Sequence, residues 1–467
     1  MTVPRLLAAT TLTASLVLVP VSADAAVDYR PGSAGAGDPY FPKMGNGGYD
    51  VRHYGLRLEY APAAKHLTGT ATITAIALQN LSRFNLDLHG LTVQSVRVGG
   101  KAAKWKRSGF QELTVTPAKG LRLGERFTVT VRYSGHPDKI ADQPLGTSGW
   151  ITTSDGAVAL NQPFGAASWF PVNDTPKDKA TYTFAVTVPK NLTALANGDF
   201  VSRKVKGGKA VHRWRMRQPM SSELSMVAIG DYEVLRTRSG GLQSVTAFDS
   251  ALAASKKQLQ TYDKKTRTVL KWQSKLFGPY PFTSTGGIVD KLDVGYSLET
   301  QARPVHDWNT SGQNPPDDLV VHELAHQWFG DSVTPAKWRD IWLNEGFATY
   351  TEWLWSERNG ERTAEQRFRG AYSAGPGADV WKGVLGDPGR DHIFDNLVYQ
   401  RGAMTVHALR KELGDDVFFR LVRAWLASYR GKTVSTRQFH AFAEKFSGKQ
   451  LDALFKKWVY TAGKPQL

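Results

Sequence analysis

Three residues in the second half of the chain could hold a metal ion, and a fourth could use it. His322, Glu323 and His326 stand in the run His-Glu-Leu-Ala-His. On a helix, residues four apart share a face, so the two imidazoles can converge on one ion while Glu323 sits beside them, free to act as a base. Asn314-Pro315-Pro316-Asp317-Asp318 supplies a start for that helix, with proline at the entry and acidic residues in the first turn. Glu345 is the third ligand. It lies in Trp342-Leu343-Asn344-Glu345-Gly346-Phe347-Ala348, where Leu343, Phe347, Tyr350 and Leu354 recur at helical spacing. Two imidazoles and a carboxylate with an open fourth position form the donor set of a catalytic rather than a structural zinc site, predicting about one zinc per chain. The longer pattern that adds a third histidine fails, because Phe329 stands where it needs glycine and Ser332 where it needs histidine. Such a site performs hydrolysis: water is activated by the ion, and Glu323 carries its proton to the leaving group.

His322-Glu-Leu-Ala-His-Gln-Trp-Phe-Gly followed by Trp-Leu-Asn-Glu345-Gly-Phe-Ala resembles the gluzincin aminopeptidases, the group containing aminopeptidase N and leukotriene hydrolase. The resemblance runs from about Tyr40 to the end of the chain. It implies peptide substrates with a free N-terminus, and it implies further roles residue by residue. Tyr399, in Val398-Tyr-Gln-Arg-Gly-Ala403, matches the tyrosine that stabilises the tetrahedral intermediate. Glu299, in Gly295-Tyr-Ser-Leu-Glu-Thr300, falls where the family's GAMEN segment places the glutamate that holds the substrate's amino group. Gln162, upstream of Trp169-Phe-Pro-Val-Asn-Asp174, occupies the position of a second amino-group ligand. An uncharged amide there predicts weaker amino-group recognition than a pair of carboxylates would give. There are departures: the GAMEN segment keeps only its glutamate, Asp331 stands where many relatives have asparagine, and the sequence ends about where the family's thermolysin-like domain ends, without a helical domain to roof the site. The same zinc site on related scaffolds cleaves internal peptide bonds or epoxides, and a non-catalytic peptide-binding relative is a further alternative. The presence of Glu323, dispensable for metal binding but needed for hydrolysis, argues against the last.

The elements that position these residues change character along the chain. From Tyr49 to about Tyr232 apolar residues alternate with polar ones, as in Phe84, Leu86 and Leu88, or Phe127, Val129, Val131 and Tyr133, or Tyr182, Phe184, Val186 and Val188. Glycine and proline punctuate these runs, which predicts an antiparallel β-sandwich; the resemblance implies a saddle-like form of it. After Ser239-Gly240-Gly241 the spacing turns helical, first through Leu259, Tyr262, Val269, Leu270, Leu276 and Phe277. The predicted organisation is α+β: a leader over residues 1–25, a β domain over 26–240, and a mostly helical, thermolysin-like catalytic domain over 241–467. His306 and His392 have no assigned role, and the tryptophans around the zinc motifs are read as packing between helices.

Composition sets the outer bounds. The 467 residues are 41% hydrophobic, 11% aromatic and 22% charged, which is globular usage. A net charge of +17 favours association with an anionic cell envelope, but the basic residues are scattered and no nucleic-acid-binding motif appears, so no nucleic-acid partner is expected. Cysteine is absent, which removes disulfides and thiolate chemistry. Arg5, the apolar run to Val21 and Ala23-Asp24-Ala25 have the form of a signal peptide, predicting a secreted, extracellular protein that begins at Ala26 and lacks a membrane span.

Overall fold

The computed structural model describes residues 1–3, 27–312 and 314–467; apart from its first three residues, the leader expected over 1–25 lies outside them. In the first half, alternating side chains build an eight-stranded sheet from β1 (Tyr49–Ala61), β2 (His66–Ala77), β3 (Thr92–Val98), β4 (Lys101–Ala102), β5 (Arg126–Gly135), β6 (Ala180–Pro189), β7 (Asp199–Lys206) and β8 (Lys209–Met220), in the order β7-β8-β6-β1-β2-β5-β3-β4. Leu56, Ile73, Val131, Phe184 and Trp214 lie on its buried face, packed against two smaller sheets whose strands include Leu81–Asp87 and Ala157–Leu160. Each such side chain contributes about 1.5–3 kcal/mol by leaving water. The expected β-rich first half is present. It is not purely antiparallel, because β6 runs parallel to β1, with Tyr54 opposite Tyr182 and Leu56 opposite Phe184.

The second half opens with a hairpin, β9 (Tyr232–Ser239) and β10 (Leu242–Asp249), turned at Gly240-Gly241. Both strands join β11 (Ser284–Asp290), β12 (Ser297–Leu298) and β13 (Val305–Asp307) in a mixed sheet of order β9-β10-β11-β13-β12. Beside it lies α1 (Lys256–Phe277), begun by a reciprocal capping box between Ser255 and Gln258. The metal motif occupies α2 (Asp317–Ala325), with His326 at its C-terminal end, and Glu345 lies in the first turn of α3 (Trp342–Arg358). The further helices of this half include α4 (Gly402–Leu413), α5 (Asp415–Ser428) and α6 (Thr436–Ser447). Trp328, Trp338, Trp342, Trp353 and Trp355 are all buried in their shared core.

Two contacts fix the zinc-motif helices. Phe329, three residues past His326, stacks on Phe347, two past Glu345, with ring centroids 4.4 Å apart and planes 5° apart. On the other side of α3, Gly346 meets Gly402 of α4 backbone to backbone: a Cβ built on Gly402 would lie 2.7 Å from the Gly346 Cα. Glycine at both positions lets the helix of Glu345 approach the turn that carries Tyr399. Gly402→Val should therefore force the helices apart, costing about 1–3 kcal/mol, read as a lowered thermal midpoint together with lost hydrolytic activity. An unchanged midpoint would show that this crossing is loosely packed.

Candidate active site

The metal-motif side chains meet in a cavity of about 410 Å³ between the β-rich and helical halves. The His322 and His326 Nε2 atoms each lie 3.3 Å from one oxygen, Oε2 of Glu345. That is about the ligand-to-ligand spacing of a tetrahedral zinc with bonds of about 2.0–2.1 Å. The opposite ring nitrogens are already committed, since His322 Nδ1 lies 2.5 Å from Glu352 Oε1 and His326 Nδ1 3.0 Å from the Phe329 carbonyl. With each Nδ1–H donating outward, the Nε2 lone pairs face the shared centre, which is what metal ligation requires. Burial alone would raise the Glu345 carboxyl, but before a metal binds, the protonated His326 and His322 rings overcome it and hold that carboxyl low, and a metal ion takes the place of their Nε2 protons. The three donors thus fit zinc in identity, spacing and tautomer.

Glu323 is on the same helix, one residue from His322, and buried. Burial pushes its carboxyl well above the usual range, the nearby Glu299 carboxylate adds to this, and the imidazoles oppose it. Such a group is a stronger proton acceptor than a solvated glutamate. Tyr399 sits in a wide π-helical turn, Leu397–Arg401, its ring 6.0 Å from that of His322 and nearly parallel to it. Burial first, then the surrounding carboxylates, push its phenol well above the ordinary value, so it keeps its proton as a hydrogen-bond donor. The turn is tethered by Arg401, which is buried and donates to the carbonyls of Trp458 and Gly463.

The other two predicted residues converge from opposite halves of the chain. Gln162 Nε2 donates to Glu299 Oε1 at 2.8 Å, and both side chains line the cavity that holds His326 and Glu323. All seven predicted site residues therefore share one cavity. Neither unassigned histidine joins them: His306 is buried between Tyr262 and Ser297, 2.8 and 3.0 Å away, and His392 is exposed beside Asp395.

Two residues that sequence reasoning passed over complete the site. Glu352 orients His322, and its signal was present, because it follows Glu345 by two helical turns and so shares its face. Gln327, next to His326, bridges the zinc helix to the Glu299 segment: its Nε2 donates to the Glu299 carbonyl at 3.1 Å and its Oε1 accepts from the Ala302 N–H at 2.7 Å.

Comparison with known proteins shows the family. Residues 305–458 match the model of the peptidase family M1 domain, and residues 50–224 that of the peptidase M1 N-terminal domain. An M1 zinc metallopeptidase of Deinococcus radiodurans superposes with a TM-score of 0.83 at 31% identity, covering 93% of this chain and 98% of that one. A mutant from the same organism, bound to a Tyr-Ser-Ala substrate, matches at 30% identity and the same TM-score, covering 93% of this chain and 99% of its own. Among curated proteins, the probable aminopeptidase 2 of Sulfurisphaera tokodaii is 26% identical over 399 residues, 81% of this chain and 50% of its own. Leukotriene A-4 hydrolase of Xenopus laevis is 23% identical over 459 residues, 89% of this chain and 72% of its own. The chain spans about half the length of the first of these relatives.

Metal analysis should find about one zinc per chain, removable by a chelator. Glu352→Ala should weaken zinc binding by about 10- to 100-fold, because it frees the His322 ring, and competition with a chelator of known affinity measures this. Affinity equal to that of the parent protein would assign Glu352 to the cavity wall alone.

Proposed function

Because the chain belongs to the M1 family of zinc metallopeptidases, we propose that it is an aminopeptidase that removes N-terminal residues from peptides. The observation that carries this reading is the pairing of Gln162 with Glu299 beside the His322, His326 and Glu345 donors. Zinc in such a site supplies Lewis acidity, lowering the pKa of water to about 7 and polarising a carbonyl. His322, His326 and Glu345 hold the ion. The Glu299 carboxylate accepts hydrogen bonds from the substrate ammonium, and Gln162 aligns that carboxylate while its own Oε1 remains an acceptor. The scissile carbonyl carbon is thereby placed beside Glu323, which takes the proton of the attacking water and delivers it to the departing amine nitrogen. Tyr399 donates its O–H to the carbonyl oxygen as that atom gains negative charge, an interaction worth roughly 3 kcal/mol in comparable sites.

Exo-specificity follows from the ammonium contact. An internal or acetylated peptide brings no positive charge to a buried carboxylate and loses the positioning that fixes its carbonyl. The Deinococcus structure with a Tyr-Ser-Ala substrate supports a short peptide as the ligand of this cavity. An endopeptidase would instead need a cavity open beyond Glu299, where a preceding residue could pass.

Acetylating the amine of a peptide substrate should lower kcat/KM more than about a hundredfold. Glu299→Ala should erase most of that difference, and Glu323→Gln should retain zinc but lose turnover. Acetylated peptides cut internally at comparable rates would make the enzyme an endopeptidase and remove the role given to Glu299.

Export is the second part of the proposal. Residues 1–25 have the charge, apolar run and small-x-small ending of a cleaved leader, and no helix among the described residues is long and apolar enough to cross a membrane. Mass spectrometry of secreted protein should then give Ala26 as the first residue. Retention of Met1 on exported protein would refute cleavage.

A further inference from the structure

The cavity does not end at the metal donors. Beyond them it is walled by the first turn of α2, where Pro316, Asp318 and Leu319 face the same space as His322 and Glu323. Asp318 precedes His322 by four residues and Leu319 precedes Glu323 by four, so the helix face that carries the chemistry continues toward the mouth. About 6 Å of helix axis separates Asp318 from His322. The Asp318 carboxylate is exposed there. The nearby ammonium of Lys265 is taken by Asp317 at 2.7 Å and by the Pro315 carbonyl at 2.7 Å, and Asp318 forms no ion pair among the described residues. Glu352 lines the same end from α3, while no lysine or arginine among the described residues lines the cavity.

This end of the cavity has a defined relation to a bound peptide, given the aminopeptidase reading on which the inference rests. The substrate amine sits at Glu299 and Gln162, the scissile carbonyl at the metal donors and Tyr399, and the departing residue comes next, on the side of Asp318. We infer that Asp318 is a specificity-determining residue for the amino acid after the scissile bond, favouring lysine or arginine there and disfavouring aspartate or glutamate. Leu319, half-buried beside it, offers apolar surface to the methylene stem of a long cationic side chain whose head reaches the carboxylate. A neutral side chain of the same length gains the stem contact without the charge; an acidic one meets repulsion from Asp318 and Glu352 together.

The test uses the zinc-loaded enzyme and dipeptide amides, whose blocked C-terminus removes the terminal carboxylate from the comparison. For Ala-Lys-NH2, Ala-norleucine-NH2 and Ala-Glu-NH2, kcat/KM should fall in that order, with a Lys-to-norleucine ratio of about three- to tenfold at low salt that contracts in concentrated sodium chloride. In Asp318→Asn that ratio should fall to about one, and in Asp318→Lys the order of the lysyl and glutamyl substrates should reverse. A flat order in the parent enzyme, or a lysine preference that survives Asp318→Asn, overturns the inference and leaves Asp318 as a first-turn helix charge. Lys-Ala-NH2 compared with norleucine-Ala-NH2 provides the second arm: a cation preference confined to the first residue would place Asp318 on the wrong side of the scissile bond. Failure of the parent enzyme to cleave any of these amides would refute the aminopeptidase reading, and this inference with it.

Discussion

Glu299, Glu323 and Glu345 are 3%, 4% and 2% exposed, and three carboxyl groups so withdrawn from water call for positive charge among them. Burial pushes the Glu323 carboxyl up, with the Glu299 carboxylate beside it adding to the shift, whereas the imidazoles hold the Glu345 carboxyl low. The protein supplies only part of the compensation, through two imidazoles whose Nε2 atoms both face Glu345. On the mechanism proposed, the rest arrives as ligands: a divalent cation between His322, His326 and Glu345, and an ammonium at Glu299. Metal and substrate are therefore the counter-charges that this arrangement of buried acids lacks, and the surrounding structure serves to keep the acids from relaxing apart.

That restraint comes from contacts with little chemistry of their own. Phe329 stacked on Phe347 joins the end of the zinc helix to the helix of Glu345, and the Gly346–Gly402 crossing brings the Tyr399 turn against the same helix. Gln327 ties the Glu299 loop to the zinc helix with one donated and one accepted hydrogen bond. Each contact uses a rigid group: an aromatic ring, a backbone approach or a planar amide. None can lengthen to follow a drifting carboxylate, so the separation between the metal donors and Glu299 is set by packing.

The sequence makes the metal donors legible because their spacing is dictated by the period of one helix, and Glu345 because it lies in a second apolar-periodic run. The β-rich first half is readable for a similar reason, since period-two alternation reports one buried face. What pairs with what is not contained in that alternation: β6 runs parallel to β1, a choice made by long-range connection rather than by either strand. The mixed sheet of the second half is harder still. β11 contains Gly286-Gly287, which reads as a turn by composition, yet both glycines lie inside the strand. A Cβ on Gly286 would meet the Val245 carbonyl at 1.8 Å, and one on Gly287 the Tyr262 hydroxyl at 2.1 Å. Their absent side chains admit a neighbouring strand and helix, and only the folded chain reveals that need. Glu352 and Asp318 are likewise ordinary helix carboxylates until the position of the cavity is known.

The β domain contributes to this chemistry as well as covering the catalytic half. Gln162 precedes the eight-stranded sheet's β6, whereas its partner Glu299 follows β12, so their hydrogen bond exists only while the two halves are held in register. Lys179 is one of the groups that hold them. Its side chain is half-buried, and its ammonium donates to the Asp331 carbonyl at 2.7 Å, the Ser332 carbonyl at 3.1 Å and Thr334 Oγ1 at 2.7 Å, in the turn that follows the zinc helix. Burial draws its pKa down to about 7, against the pull of Asp331 and Glu223. The Tyr296 hydroxyl, donating to the Thr147 carbonyl at 2.6 Å, pins the Glu299 segment to the β domain from the other side. A polypeptide carrying only the zinc helices would keep the metal donors but lose Gln162 and these anchors. On the mechanism proposed, it would retain the means to activate water while losing the device that distinguishes the end of a peptide from its middle.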